Sequence, residues 1–211
     1  MKMNKKILGL TSVMILLPVL VGCFFWNRLP ETMATHFKLS GQANGFSSRW
    51  VTVFGLPSFL LVIHWLCIFV TSKDPKSSNV NPKARHLVYW IIPLASWFAL
   101  GSIYAHALGY AVNHALIVNA FLGLLLMAIG NYMPKIRRNY TIGIRLPWTL
   151  DNDDNWIRTH RLAGKMWVIG GVLLFVNAFI QIAVDLVVLL IFGIVIVVPM
   201  IYSYWLARAL Y

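Results

Sequence analysis

Six apolar runs, roughly 7–26, 51–71, 87–109, 114–133, 166–183 and 187–207, constrain this chain more than any other feature. Each is about 20 residues long, the length an α-helix needs to cross the ~30 Å hydrocarbon core of a bilayer. Only 11% of the residues are charged, whereas a soluble domain carries roughly 25%. In lipid each backbone N–H and C=O must be satisfied within its own segment, so these runs are expected to be helices. The expectation is an all-α, polytopic integral membrane protein with six transmembrane helices.

The net charge of +12 raises the question of nucleic acid, and the placement of the charges answers it. With the N-terminus inside, Lys2, Lys5, Lys6, Lys73, Lys76, Lys83, Arg85, Lys135, Arg137, Arg138, Arg145, Arg158, Arg161, Lys165 and Arg208 are cytoplasmic, and only Arg28, Lys38 and Arg49 are outside. This bias predicts an N-in/C-in topology. It accounts for the basic excess without direct nucleic-acid binding. The opening MKMNKKILGLTSVMILLPVLVGC has the form of a lipoprotein signal peptide, but the run continues apolar through Phe24, Phe25 and Trp26, which favours a membrane span. Cys23 and Cys67 then fall near opposite membrane faces, too far apart for a disulfide.

Three segments are expected: residues 1–72, two helices joined by an extracellular loop at 27–50; a Pro-, Ser- and Lys-rich cytoplasmic connector at 73–86, which shows no site; and a four-helix membrane domain at 87–211. In the outer loop THFKL reads as a short strand and SGQANG as a turn. The loop is either a small extracellular cap or an inert connection. Pro18, Pro57, Pro93 and Pro199 interrupt spans and predict kinks. Gly170 and Gly171 allow the fifth helix to approach a neighbour closely.

The span centres lack Asp, Glu, Lys and Arg, which disfavours an ion-coupled pump. Neutral polar residues instead gather toward the outer half. His36, Tyr104, His106, His114, Asn119, Asn177, Gln181 and Asp185 form either an outer polar pocket or an interhelical hydrogen-bond network. No metal site is expected, because these histidines lack ligand spacing on one helix face, and His64 reads as a hydrogen-bonded core residue. Nucleophile, phosphate-loop and metalloprotease motifs are absent, so neither catalysis nor a cofactor is expected.

The polar segment 130–165 lies on the inner side. Gly130 and Asn131 suit a helix C-terminus, Pro134 stops the fourth helix, and Thr149 to Asp153 suit the start of another. Asp151 and Asp154 favour a helix N-terminus, and Asp154 with Arg158 makes an i, i+4 pair. Trp148, Trp156 and Trp167 predict an interfacial helix, at headgroup depth, running into the fifth span. Arg145 suggests a fork held against an aspartate or a carbonyl.

The stretch GNYMPKIRRNYTIGIRLPWTLDNDDNWIRTHRLAGK resembles the SdpI family of bacterial membrane immunity proteins, through Gly130, Asn131, Asn139, Gly143, Arg145, Pro147, Trp148, Thr149, Trp156 and Arg161. Leu146 departs from that pattern, where many relatives have threonine. The piece LPETMATHFKLSGQANGF is similar to a small domain of unknown function often found at the start of such proteins. The resemblance implies a multi-pass protein of the bacterial plasma membrane that confers resistance to a secreted antimicrobial peptide. It also implies a possible sensing role in which the occupied protein captures a cytoplasmic repressor. Expected partners are membrane lipid, an extracellular peptide toxin and that repressor. The alternatives are a small transporter or lipid-handling protein, and a purely regulatory membrane receptor.

Overall fold

The computed structural model describes residues 3–79 and 81–210. Lys2, counted above among the inner charges, lies outside them. Among the described residues six helices are long and apolar enough to cross a membrane: Lys5–Phe24, Val51–Lys73, Pro82–Ala107, His114–Lys135, Asp153–Ile180 and Val184–Ala209. The regular elements are α1 (Lys5–Phe24), strands β1 (Thr32–Phe37) and β2 (Ala43–Ser48), α2 (Leu56–Lys73), α3 (Pro82–Ala107), α4 (His114–Tyr132), the short α5 (Pro147–Asp151), α6 (Asp153–Ile180) and α7 (Val184–Leu210). The described residues form two compact units, one of residues 3–69 and 88–118, the other of residues 70–79, 81–87 and 119–210.

In the first unit Asn4 caps α1 by accepting the N–H groups of Lys6 and Ile7. Polar side chains then join the helices, as hydrocarbon surroundings require. Thr11 Oγ1 meets His64 Nε2 at 2.9 Å, and Trp97 Nε1 donates to the Met14 carbonyl at 2.9 Å. His64 is therefore a hydrogen-bonded core residue, as its sequence context suggested. Leu29, Met33, Val53, Leu100, Ile103 and Tyr104 form the buried centre.

The outer loop folds as an antiparallel hairpin. Thr32 pairs with Ser48 and Ala34 with Phe46, with irregular register around His36. Gly41 provides the positive φ of the turn, +90°, and a Cβ there would lie 3.1 Å from the Ala115 backbone nitrogen. Phe37 stacks on His114 with ring centroids 3.5 Å apart. The hairpin is thus seated on the first turn of α4. The strand expected at THFKL is displaced toward Thr32, and the second strand is a finding: β2 has glycine, asparagine and serines in place of a β-forming pattern.

Of the four prolines, Pro18, Pro93 and Pro199 lie inside helices. Pro57 also lies inside a helix, as the second residue of α2, just after a π-helical turn at Val51–Gly55 in which the Leu56 N–H reaches the Val51 carbonyl. That widened turn ends where the proline, lacking an N–H, begins.

In the second unit α4 and α6 touch through glycines. A Cβ on Gly123 would come within 2.7 Å of the Gly171 carbonyl, and one on Gly130 within 2.9 Å of the Gly164 carbonyl. A Cβ on Gly170 would meet Ile191 of α7 at 2.9 Å. Gly130 and Asn131 lie in the last turn of α4, as their fitness for a helix C-terminus suggested. The helix runs to Tyr132 and closes with a 3-10 turn over Met133–Lys135 that contains Pro134. The fifth span starts at Asp153, well before 166, as one continuous 28-residue helix. Asn152 is its N-cap, accepting from Asp154 and Asn155 N–H, in place of the Thr and Asp side chains expected there.

Candidate functional site

The polar segment between α4 and α6 folds around its own side chains. Asn139 is fully buried. Its Nδ2 donates to the carbonyls of Arg137 and Ile142 at 2.9 and 3.0 Å, and its Oδ1 accepts the N–H groups of Thr141 and Ile142 at 2.9 and 2.7 Å. A short amide satisfying four backbone groups fixes a loop that has no helix or sheet ladder of its own.

Gly143 follows with φ +117°. A Cβ there would sit 2.5 Å from His160 Nε2, so only glycine lets the chain pass the imidazole. The next N–H, of Ile144, donates to that Nε2 at 2.9 Å, while Nδ1 of the same ring lies 2.8 Å from the Trp156 carbonyl. With one nitrogen accepting and the other donating, His160 is the neutral Nδ1–H tautomer. Trp156, 1% exposed, stacks on His160 at 4.0 Å and donates its indole N–H to the Ile136 carbonyl at 2.8 Å.

Thr149 closes the turn into α5. Its hydroxyl accepts the Leu146 N–H at 2.9 Å and lies 2.8 Å from the Ile144 carbonyl. Leu146 occupies the N-cap position of α5 and has no side-chain acceptor to return the bond, so Thr149 alone makes half of a capping box.

Distant residues fasten this loop from outside. Asp74, buried at the end of α2, accepts the Tyr140 N–H at 2.9 Å and the Thr141 hydroxyl at 2.8 Å. Its other oxygen accepts the Lys76 N–H at 2.7 Å. Asn79 Nδ2 donates to the Arg138 carbonyl at 2.9 Å. Arg138 pairs with Asp153 at 2.7 Å and donates to the Leu150 carbonyl at 2.8 Å. From α7, the Ser203 hydroxyl accepts Trp148 Nε1–H at 2.9 Å and the Ser203 carbonyl accepts from Asn155 at 2.8 Å.

Several expectations change here. The connector 73–86 was read as lacking any site, yet Asp74 and Asn79 anchor the segment. The available signal was that Asp74 is the sole acid in an otherwise basic connector. Arg145 takes the carbonyl alternative, donating to Tyr140 at 2.7 Å; the arginines that bind aspartates are Arg138 and Arg158. The tryptophans expected at headgroup depth serve as hydrogen-bond donors. Trp148, Trp156 and Trp167 all donate their indole N–H into the protein, Trp167 to the Val195 carbonyl of α7 at 3.0 Å. The Asp154–Arg158 pair forms at 2.8 Å.

The resulting ledge is buried at Asn139, Thr149 and Trp156, and exposed at Asn131, Arg145, Pro147, Asp151, Asp154 and Arg161. Tyr140, Pro147, Trp148, Leu150 and Asp151 line an open groove of about 590 Å³ on it. The groove presents the aromatic rings of Tyr140 and Trp148 beside the carboxylate of Asp151.

The polar residues expected outside are placed as follows. His106 and His114 lie 5.0 Å apart, both against Phe37. Tyr104 is buried among the core residues of the first unit, and His36 is hydrogen-bonded to Asn44 at 2.6 Å within the hairpin. Asn119 is buried. Asn177 and Gln181 finish α6: the Gln181 N–H, at φ 57°, reaches the Asn177 carbonyl, and Asn177 Oδ1 accepts the Ile182 N–H. Asp185 lies in the first turn of α7, exposed, where a carboxylate suits the helix dipole.

Comparison with known proteins matches residues 135–203 to the SdpI/YfhL protein family and residues 13–61 to a domain of unknown function, DUF1648. The chain is 27% identical over 181 residues to Immunity protein SdpI of Bacillus subtilis (strain 168), an alignment covering 84% of this chain and 83% of that protein. No solved structure matches.

Proposed function

We propose that the chain, whose residues 135–203 match the SdpI/YfhL protein family, protects its own cell against a secreted, membrane-active peptide. The observation that carries this reading is the likeness to an immunity protein over 84% of the chain. The separate matches at residues 13–61 and 135–203 cover the hairpin and most of the arginine- and tryptophan-rich ledge. A binding role without catalysis is consistent with that family.

Two surfaces serve the proposal. The hairpin seated on α4 carries exposed Phe46, with Trp50 just beyond it, a surface suited to an apolar peptide. The ledge exposes Arg137, Arg145, Arg158 and Arg161 in a locked frame, a surface suited to an acidic face of a cytoplasmic repressor. Occupation of one surface alters the other only through a difference in affinity between two states of the protein.

The test is genetic. Deleting the gene should sensitise the producing strain to peptides secreted by its own population, and expression in a sensitive host should restore growth. Equal survival of deletion and parent strains in every such challenge overturns the reading. For the sensing role, Arg145→Ala with Arg161→Ala should abolish recovery of a repressor with the membrane fraction and leave protection intact.

A further inference from the structure

We propose that the groove between α4 and α6 binds an anionic phospholipid, its phosphate between Lys135 and Lys165 and one acyl chain along Val168 and Ile169. The groove has a volume of about 450 Å³, and its lining divides sharply along its length. Lys135, Lys165 and Asn131 provide cations and an amide at one end. Val168 and Ile169 provide the other, and Ile169 is 60% exposed.

That division coincides with the point where both helices change character. From His114 to Gly130, α4 has no Asp, Glu, Lys or Arg, and Asn131 and Lys135 follow; α6 has charges up to Lys165 and none from Met166 to Ile180. Two helices that leave the apolar medium at one level place the groove at the water–lipid boundary. An occupant must therefore be amphiphilic. A free phosphate would use only the polar half.

The charge is available. None of the lining residues is acidic. The two ion pairs of the described residues join Arg138 to Asp153 and Arg158 to Asp154 and involve neither lysine. The groove also exists for a structural reason. Gly130 and Gly164 bring the helix backbones together, and the Pro134 ring packs on Gly164, where a Cβ would lie 2.6 Å from it. The floor is rigid backbone, so a chain laid on it meets a preformed surface.

The experiment is native mass spectrometry of the purified full-length chain with dioleoyl phosphatidylglycerol or dioleoyl phosphatidylcholine. The wild type should retain one phosphatidylglycerol with a preference on the order of tenfold over phosphatidylcholine. Lys135→Gln with Lys165→Gln should bring the two lipids to parity, while Lys83→Gln, on an exposed lysine outside the groove, should leave the preference intact. Glycerol phosphate, which has the headgroup and no chains, should fail to compete. Equal retention of both lipids by the wild type, an unchanged preference in the double variant, or displacement by glycerol phosphate overturns the proposal. Monodispersity of each variant in gel filtration excludes misfolding as the cause of lost binding.

Discussion

At residue scale the ledge depends on small polar side chains that replace missing secondary structure. Asn139→Ala removes the acceptor for the Thr141 and Ile142 N–H groups and the donor to two carbonyls. Leaving buried backbone groups unpaired costs about 1–3 kcal/mol. The expected outcome is faster tryptic cleavage after Arg137 and Arg138 in inverted vesicles, with the protein still inserted. Gly143→Ala should do more, since the new methyl meets both a positive φ and the imidazole of His160. The same cleavage assay should show the loop open before any loss of the helices. Asn139, Gly143, Thr149 and Trp156 were all legible as residues of the SdpI-like pattern, but not the reason for them, which is local backbone closure. Asp74 was missed because its partners are 66 and 67 residues away, a separation no local pattern reports.

At the scale of elements, packing between α4 and α6 rests on paired glycines spaced seven residues apart on each helix, Gly123 with Gly130 and Gly164 with Gly171. Glycine is a poor helix former by about 1 kcal/mol, so its presence in two spans reflects close approach. Gly171→Ile must push the helices apart, because even the Cβ would lie 2.6 Å from the Gly123 carbonyl. Overpacking of this kind costs typically about 1–3 kcal/mol. A lowered thermal midpoint in detergent, read by fluorescence size-exclusion, is the expected result. Gly101→Ala is the contrast: nothing lies within 4 Å of a Cβ there, so its midpoint should stay or rise slightly. The six spans were legible because their length is set by the bilayer. The start of α6 was legible from the capping and acidic residues around Asp153; hydropathy alone ends the span where polar residues appear at 153–165, whereas the helix continues with Trp156 and His160 buried on one face.

For the molecule as a whole, the cationic bias predicts that the ledge and both termini face the cytoplasm. In a background lacking Cys23 and Cys67, a cysteine at Arg145 should react with an impermeant maleimide only after the membrane is opened, and one at Lys38 should react in intact cells. Reversed labelling at both sites would overturn the topology and the assignment of the two binding surfaces. The sequence by itself determined the membrane class and the number of spans, because hydrocarbon thickness and the penalty for unpaired backbone in lipid act on every segment independently. The tertiary structure alone decided which carbonyls and hydroxyls the indole N–H groups meet, that Arg138 rather than Arg145 holds an aspartate, and that Asp74 and Ser203 fasten the ledge. Those are pairings between residues far apart in the chain, and which buried donor meets which acceptor is settled only when the helices are packed against one another.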